Sequence, residues 1–173
     1  LILASASPRR SELLEQIGVR FNVQPADIDE TPYTGEDATT YVARMAQEKA
    51  LSCVAKEHSR RQNRVHSEKA QDLSAQRYAV MGADTSVIVD GDILGKPADL
   101  SEAKAMLTKL SARTHQVITS VCLVVSDNTL TSSKPKVFSS TVITDVTFGL
   151  LSEAQINAYW QTGEPQDKAG SYG

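Results

Sequence analysis

Apolar segments of two different periods alternate along this chain, and this alternation limits its fold class more than any other feature. Short strand-like runs occur at residues 1–4 and 78–83, and longer ones at about 115–126 and 136–148. From residue 39 to residue 55, apolar side chains recur every three or four positions, as on one face of a helix. The interleaving predicts a mixed α/β protein in which helices flank a central sheet.

Start and stop signals agree with this assignment. Ser7 followed by Pro8 predicts the start of a helix, with Ser7 as its cap. Asp90-Gly91, between two apolar runs, predicts a hairpin turn. Ser152 and Gln155 have the spacing of a capping box, which predicts a further helix near the end of the sequence.

Size and composition favour one globular domain over residues 1–173. The chain is 40% hydrophobic with a formal charge of −3, so its net charge gives no argument for nucleic acid or an anionic membrane as partner. It contains no apolar run long enough to span a membrane. Cys53 and Cys122 lack the spacing of a metal or redox motif, and we expect buried thiols in a cytoplasmic protein. Leu1 falls within a strand-like run and Gly173 within a glycine-rich segment, so we expect the complete domain to be longer.

Residues 56–78 interrupt the pattern. They contain six Lys or Arg and three acidic residues, a local charge of 6 − 3 = +3. The segment has neither helical periodicity nor interleaved aromatic residues, which predicts an exposed or disordered insertion. Nucleic-acid binding through this basic patch is the alternative, which the modest and local charge disfavours.

Arg9 and Arg10 stand in the predicted first turn of the helix that follows the first strand. Two cations there oppose the helix dipole unless a bound anion reverses the sign. The carboxyl end of a strand is where open α/β sheets bind ligands, which favours an anion site over a pair of solvated surface arginines.

Three further groups of residues could carry chemistry. Lys49 lies on the apolar face of the 39–55 helix, where it either extends to solvent or holds an anion. Asp84 ends a buried strand and could hold a divalent cation, take a proton from water, or only form a local turn. Lys96, after Gly95, could reach a phosphate.

The remaining candidates are loops. The acidic run at 27–30, which includes Asp29, suits Mg²⁺ or Mn²⁺ but also fits a solvated loop. The loop at 163–173 carries adjacent opposite charges at Asp167 and Lys168. The three histidines show no zinc-type spacing, and no nucleophile–histidine motif is present.

Taken in order, these segments resemble the Maf family of nucleotide pyrophosphatases. The matching stretches are LILASASPRRSELL, ARMAQEKA, GADTSVIVDGDILGKP, MLTKLSARTHQVIT and GEPQDKAGSYG. They cover nearly the whole chain apart from residues 56–78. The resemblance implies a twisted central sheet in two lobes with a cleft between them, a divalent cation (Mg²⁺ or Mn²⁺) and a homodimer. Ala112 stands at a position where the family has glycine, so the resemblance does not establish the turn at this position.

The resemblance also implies roles for individual residues. Asp84 matches the family's proposed proton acceptor, with Lys49 and Lys96 as further catalytic residues. Residues that match substrate-binding positions are Ser7, Arg9, Arg10, Asp29, Thr85 and Lys168. Asp84 and Asp29 are the implied metal ligands. The lysines, the arginines and the metal would neutralise the charge that develops on the leaving pyrophosphate.

Within the family, the ending DKAGSYG resembles the subgroup that hydrolyses dTTP and UTP to the monophosphate and pyrophosphate, modified pyrimidine nucleotides included. The subgroup acting on 7-methyl-GTP carries Cys at the position of Lys168 and Phe at that of Tyr172. Two alternatives therefore stay open. One is a 7-methyl-GTP pyrophosphatase, and the other is a nucleotide sensor without turnover, given the family's association with septum formation.

Overall fold

The computed structural model of the protein describes residues 1–64, 77–126 and 134–173. Its strands are β1 (Ile2–Leu3), β2 (Asn22–Val23), β3 (Tyr78–Val89), β4 (Asp92–Leu94), β5 (Thr114–Ser126) and β6 (Lys136–Thr147). Its helices are α1 (Pro8–Gln16), α2 (Ala38–Arg64), α3 (Leu100–Leu110) and α4 (Glu153–Gln161), followed by the 3₁₀ segments Glu164–Asp167 and Ala169–Ser171. No helix in this described part of the chain combines the length and the hydropathy of a membrane span.

The strands form one mixed sheet in the order β2-β1-β3-β5-β6, with β4 paired to β3. β1 lies parallel to both of its neighbours, so that Ile2 is opposite Asn22 on one side and Val80 on the other. β3 and β4 are antiparallel. The predicted mixed α/β class is therefore confirmed.

The hairpin forms where the sequence predicts it. Asp90 and Gly91 have φ values of 54° and 83°, the left-handed pair that a two-residue type I′ turn requires. Upstream of the turn, the expectation that Asp84 ends the strand at 78–83 is wrong, because β3 continues through Asp84 and Thr85 to Val89 without a break. Backbone pairing within a sheet tolerates polar side chains that interrupt an apolar pattern.

Helix α2 lies unusually close to β3 at Gly82. A Cβ atom at this position would be 2.1 Å from the Ala46 carbonyl oxygen and 2.8 Å from the Ala50 amide nitrogen. Since side chains alternate along a strand, Val80, Gly82 and Asp84 share the face of β3 that α2 covers. This close approach brings Lys49 of α2 to the level of Asp84.

The chain divides into two compact units, in agreement with the two lobes that the family resemblance implies. The first unit comprises Leu1–Pro32, Ala43–Asp84 and Ser120–Ser140. Its core contains Ile2, Ala4, Ala46, Ala50, Cys53, Tyr78, Val80, Cys122 and Val124. Both cysteines are buried free thiols, as predicted.

The second unit comprises Tyr33–Val42, Thr85–Thr119 and Thr141–Gly173. Its core is built on Val87, Val89 and Leu110, against which Phe148 and Tyr172 pack. The cleft between lobes stays a prediction.

Helix α2 is longer than its apolar pattern indicates, because it continues to Arg64 into the segment expected to be exposed or disordered. Glu57 is 1% exposed and binds two arginines, with its carboxylate oxygens 2.6 Å from Arg61 Nε and 2.8 Å from Arg60 Nε. The Arg61 guanidinium also stacks over the Tyr78 ring at 4.3 Å. These ion pairs let a polar segment remain helical without apolar periodicity. The rest of the predicted insertion, residues 65–76, lies outside the described residues.

Candidate active site

A buried ion pair joins helix α2 to strand β3. Lys49 Nζ lies 2.7 Å from Asp84 Oδ1, and the two residues are only 8% and 7% exposed. Glu30, from the loop after β2, brings a second carboxylate oxygen to 3.1 Å from the same Nζ. One ammonium group therefore holds two carboxylates within the first unit.

The environment of Asp84 changes its proton affinity. Burial raises the pKa of the Asp84 carboxyl, while Lys49, through its charge and its hydrogen bond, and then Arg10 oppose that rise. A carboxyl group with a raised pKa is a better proton acceptor at neutral pH than an ordinary aspartate. This raised pKa suits Asp84 to proton transfer.

Arg10 belongs to the same cluster through its charge. Its Nη1 donates to Ser5 Oγ at 3.0 Å. Burial lowers the Arg10 pKa, and the negative charges of Asp84 and Glu30 counteract this. A guanidinium held in this way can bind the oxygens of a phosphate. Arg9, in contrast, is exposed.

The start of α1 differs from the expected cap. Ser7 occupies the N-cap position with extended backbone angles, but its side chain makes no capping hydrogen bond. Its backbone N–H instead donates to Ser5 Oγ at 3.2 Å. A helix start without a side-chain cap leaves first-turn N–H groups for solvent or for an anion.

The acidic loop contributes a different residue from the one expected. Asp29 is exposed, and its Oδ1 accepts from the Thr31 amide at 2.9 Å and from the Thr31 hydroxyl at 2.6 Å. These bonds lower the pKa of Asp29 and fix its carboxylate within its own loop. The structure therefore brings Glu30, and not Asp29, to Lys49.

Sequence reasoning missed Glu30 and Ser5, although both lie inside recognised segments. The acidic run indicated that a carboxylate was available but not which one reaches Lys49. Ser5 lies two residues before Ser7 in the same motif, and only the fold shows that its hydroxyl holds Arg10.

The second unit carries the other predicted residues. Thr85 Oγ1 lies 3.1 Å from Thr119 Oγ1, so the Thr85 hydroxyl is hydrogen-bonded to a residue of the neighbouring strand β5. Lys168 Nζ donates to Asp167 Oδ1 and to the Glu164 carbonyl, both at 2.9 Å. Lys96 follows Gly95 in the loop after β4 and is exposed.

Asp84 and Glu30 are the residues that fit a divalent cation. The described residues include no cluster of three or more His, Cys, Asp or Glu side chains that could form a complete protein cage. Mg²⁺ usually needs only one or two protein carboxylates, with substrate phosphates and water as its other ligands. Two carboxylates beside Lys49 match that pattern, whereas Asp29 is bound to Thr31.

Comparisons with known proteins identify relatives of this chain. The dTTP/UTP pyrophosphatase of Hahella chejuensis is 43% identical over 173 residues, covering 100% of this chain and 75% of the relative. The proteins of the same name from Colwellia psychrerythraea and Myxococcus xanthus are 45% and 46% identical, covering 100% and 99% of this chain and 72% and 74% of their own lengths. The sequence model of the Maf-like protein family matches residues 1–173. This chain belongs to the Maf-like protein family.

Proposed function

We propose that this protein hydrolyses dTTP and UTP to the nucleoside monophosphate and pyrophosphate. Membership of the Maf-like family supports this, as do the relatives named dTTP/UTP pyrophosphatase that match the chain over nearly all its length. The observation that carries the proposal is the buried pair of Asp84 and Lys49 with Arg10 and Glu30 beside it. One candidate base and two cations are thereby brought together in the first unit.

Each of these residues has a distinct role in the proposed reaction. Asp84 accepts a proton from the water that attacks the α-phosphorus, and its raised pKa suits it to that task. Lys49 keeps the Asp84 carboxylate in place. Arg10, oriented by Ser5, binds phosphate oxygens and stabilises the negative charge that develops on the leaving pyrophosphate.

We also propose that Mg²⁺ or Mn²⁺ takes part, held by Asp84 and Glu30 together with the substrate. Bound there, the cation would polarise a phosphoryl oxygen and neutralise negative charge. Asp29 and its bonds to Thr31 then shape the loop that presents Glu30.

Pyrophosphate release from a panel of nucleotides tests the activity. The panel contains dTTP, UTP, 5-methyl-UTP, 7-methyl-GTP and the other common triphosphates, each with Mg²⁺ or Mn²⁺. We expect dTTP and UTP to give the highest kcat/KM. Preference for 7-methyl-GTP, or tight binding without turnover, would contradict the proposal.

The variant Asp84→Asn tests the assigned base. Loss of general-base catalysis lowers kcat by about 100-fold or more. Asp145→Asn is the matched control, because Asp145 is exposed on β6 and accepts a hydrogen bond from Gln116. Equal rates for wild type and Asp84→Asn would contradict the general-base role proposed for Asp84.

The family resemblance further supports a homodimer, and the two buried free thiols support a cytoplasmic location. Sedimentation of the purified protein tests the dimer, and fractionation of the source cells tests the location.

A further inference from the structure

The segment 163–173, which carries Lys168, lies directly on the sheet of the second unit. Gly170 has a φ of 66°, and a Cβ there would be 2.8 Å from the Val87 side chain on β3. The Gly170 amide donates to the Gly95 carbonyl at 2.9 Å. This bond joins the segment to the residue immediately before Lys96.

Lys96 and Lys168 therefore lie on two segments that the backbone bond from Gly170 to Gly95 holds together. Lys168 Nζ donates to Asp167 Oδ1 at 2.9 Å. That hydrogen bond lowers the pKa of the Asp167 carboxyl, and the charges of Lys168 and, as the smallest contribution, Lys96 lower it further.

A second attachment lies two residues beyond Gly170. The Tyr172 hydroxyl is 2.6 Å from His115 Nε2, and the His115 ring is 3% exposed. The rings of His115 and Tyr172 meet edge to face with centroids 5.4 Å apart, and each also contacts Phe148 in the same manner. The other ring nitrogen, His115 Nδ1, is buried without a hydrogen-bond partner.

A buried histidine that binds only through one nitrogen is a costly feature if its purpose is stability alone, since an apolar side chain of similar size would fill the same space. The hydrogen bond to Tyr172 fixes the end of the segment 163–173 in one position, which apolar packing alone does not do. Both Gly170 and Tyr172 are then held, and Lys168 lies just before these two attachments.

We propose that His115 and Tyr172 are positioning residues that hold Lys168 in its substrate-binding place beside Lys96. This inference rests on the proposed substrate-binding role of Lys168. It adds two residues that act on the substrate only through that lysine.

The test compares Tyr172→Phe and His115→Leu with wild type in dTTP hydrolysis. Phenylalanine keeps the ring contacts and removes only the hydroxyl, and we expect KM for dTTP to rise about three- to tenfold, the effect of one lost hydrogen bond, with kcat within about twofold. The double variant should show no larger rise than either single one. Thr114→Val is the matched control, because it removes a 2.8 Å hydroxyl contact with Thr147 next to His115 and leaves His115 and Tyr172 unchanged.

The decisive comparison uses a Lys168→Ala background. If the two residues act through Lys168, Tyr172→Phe should change KM no further there. An unchanged KM in Tyr172→Phe, or the same rise with and without Lys168, would overturn the inference.

Amide hydrogen exchange gives a readout that needs no activity. In Tyr172→Phe the Gly170 amide should exchange faster, because its bond to Gly95 opens more often, and protection equal to wild type would contradict the positioning role. A wild-type protein that hydrolyses neither dTTP nor UTP would instead reject the proposed function, while the exchange result still decides the attachment.

Discussion

The cluster at Asp84 illustrates how single residues divide between stability and function. Taking Asp84 and Lys49 out of water has a desolvation cost that their attraction only partly offsets, so a buried ion pair of this kind is weak evidence of stabilisation. Glu30 adds a second negative charge to the same ammonium group. Such an arrangement agrees with the general-base role proposed for Asp84, whose pKa burial raises.

Gly82 is the residue on which this geometry depends. We predict that Gly82→Ala lowers the free energy of unfolding by about 1–3 kcal/mol, since its Cβ would overlap the backbone of α2 at Ala46 and Ala50. Moving α2 away also separates Lys49 from Asp84, so kcat should fall more than the loss of stability explains. Thermal denaturation and initial rates measure both effects.

Gly149→Ala is the control for that prediction, because a Cβ at Gly149 meets nothing within 4 Å. If the two alanine variants are equally stable and equally active, close packing at Gly82 does not position Lys49.

Ala112 has a left-handed backbone with φ of 56°, at the position where the family has glycine. Its amide donates to the Gly149 carbonyl at 3.0 Å, which holds the turn in place despite the strain. We predict that Ala112→Gly raises the free energy of unfolding by up to about 1 kcal/mol. Chemical denaturation measures the change, and a loss of stability would show that the turn is not strained.

At the scale of elements, two helices that both have a common capping residue at the N-cap position start differently. Asp99 caps α3 by accepting from the Glu102 amide at 2.9 Å, whereas Ser7 at the start of α1 makes no such bond. The Ser152 and Gln155 capping box of α4 forms fully, as its spacing predicts. An uncapped helix start before two arginines is compatible with the proposed phosphate binding at Arg10.

The pair of variants Asp99→Ala and Ser7→Ala tests this difference. Loss of a working cap should cost about 1 kcal/mol in Asp99→Ala, while Ser7→Ala should change stability by a few tenths at most. Steady-state kinetics should show the reverse order, with a raised KM for dTTP only in Ser7→Ala. Equal losses of stability in the two variants would mean that the Ser7 side chain does cap its helix in solution.

At the scale of the whole molecule, the buried imidazole of His115 makes the free energy of unfolding depend on pH. Burial lowers the His115 pKa below its value of about 6.5 in an unfolded chain. The unfolded state therefore binds the proton more readily, so stability is intact above the unfolded pKa and is lost as pH falls from there through the folded pKa. The phenolic hydroxyl of Tyr172 and the Phe148 ring, which both contact the imidazole, provide no negative charge to compensate for protonation.

We predict that the thermal midpoint of wild type falls between pH 7 and pH 5 and that His115→Gln reduces this fall. Glutamine is uncharged throughout that range and can still bond to Tyr172. Calorimetry at pH 5, 6, 7 and 8 measures the difference between the two slopes. Parallel curves for the two proteins would show that His115 does not contribute to acid destabilisation.

Local order could be read from the sequence because its causes are local. The 3.6-residue apolar period predicted the central part of α2. Asp90-Gly91 predicted the hairpin, and Ser152 with Gln155 predicted the start of α4. The candidate residues Arg10, Lys49 and Asp84 could also be identified singly, since charged side chains next to or within apolar runs are uncommon enough to suggest a function. The sequence placed Asp84 at a strand end, whereas it lies within β3.

Tertiary structure decided which of these residues meet. Lys49 and Asp84 are 35 residues apart, and only the close approach of α2 to β3 at Gly82 brings them to 2.7 Å. It likewise selected Glu30 over Asp29, because the Asp29 carboxylate is satisfied within its own loop by Thr31. Hydrophobic periodicity determines which face of an element is buried, whereas the partner of a buried charge depends on packing between distant segments, which no local pattern records.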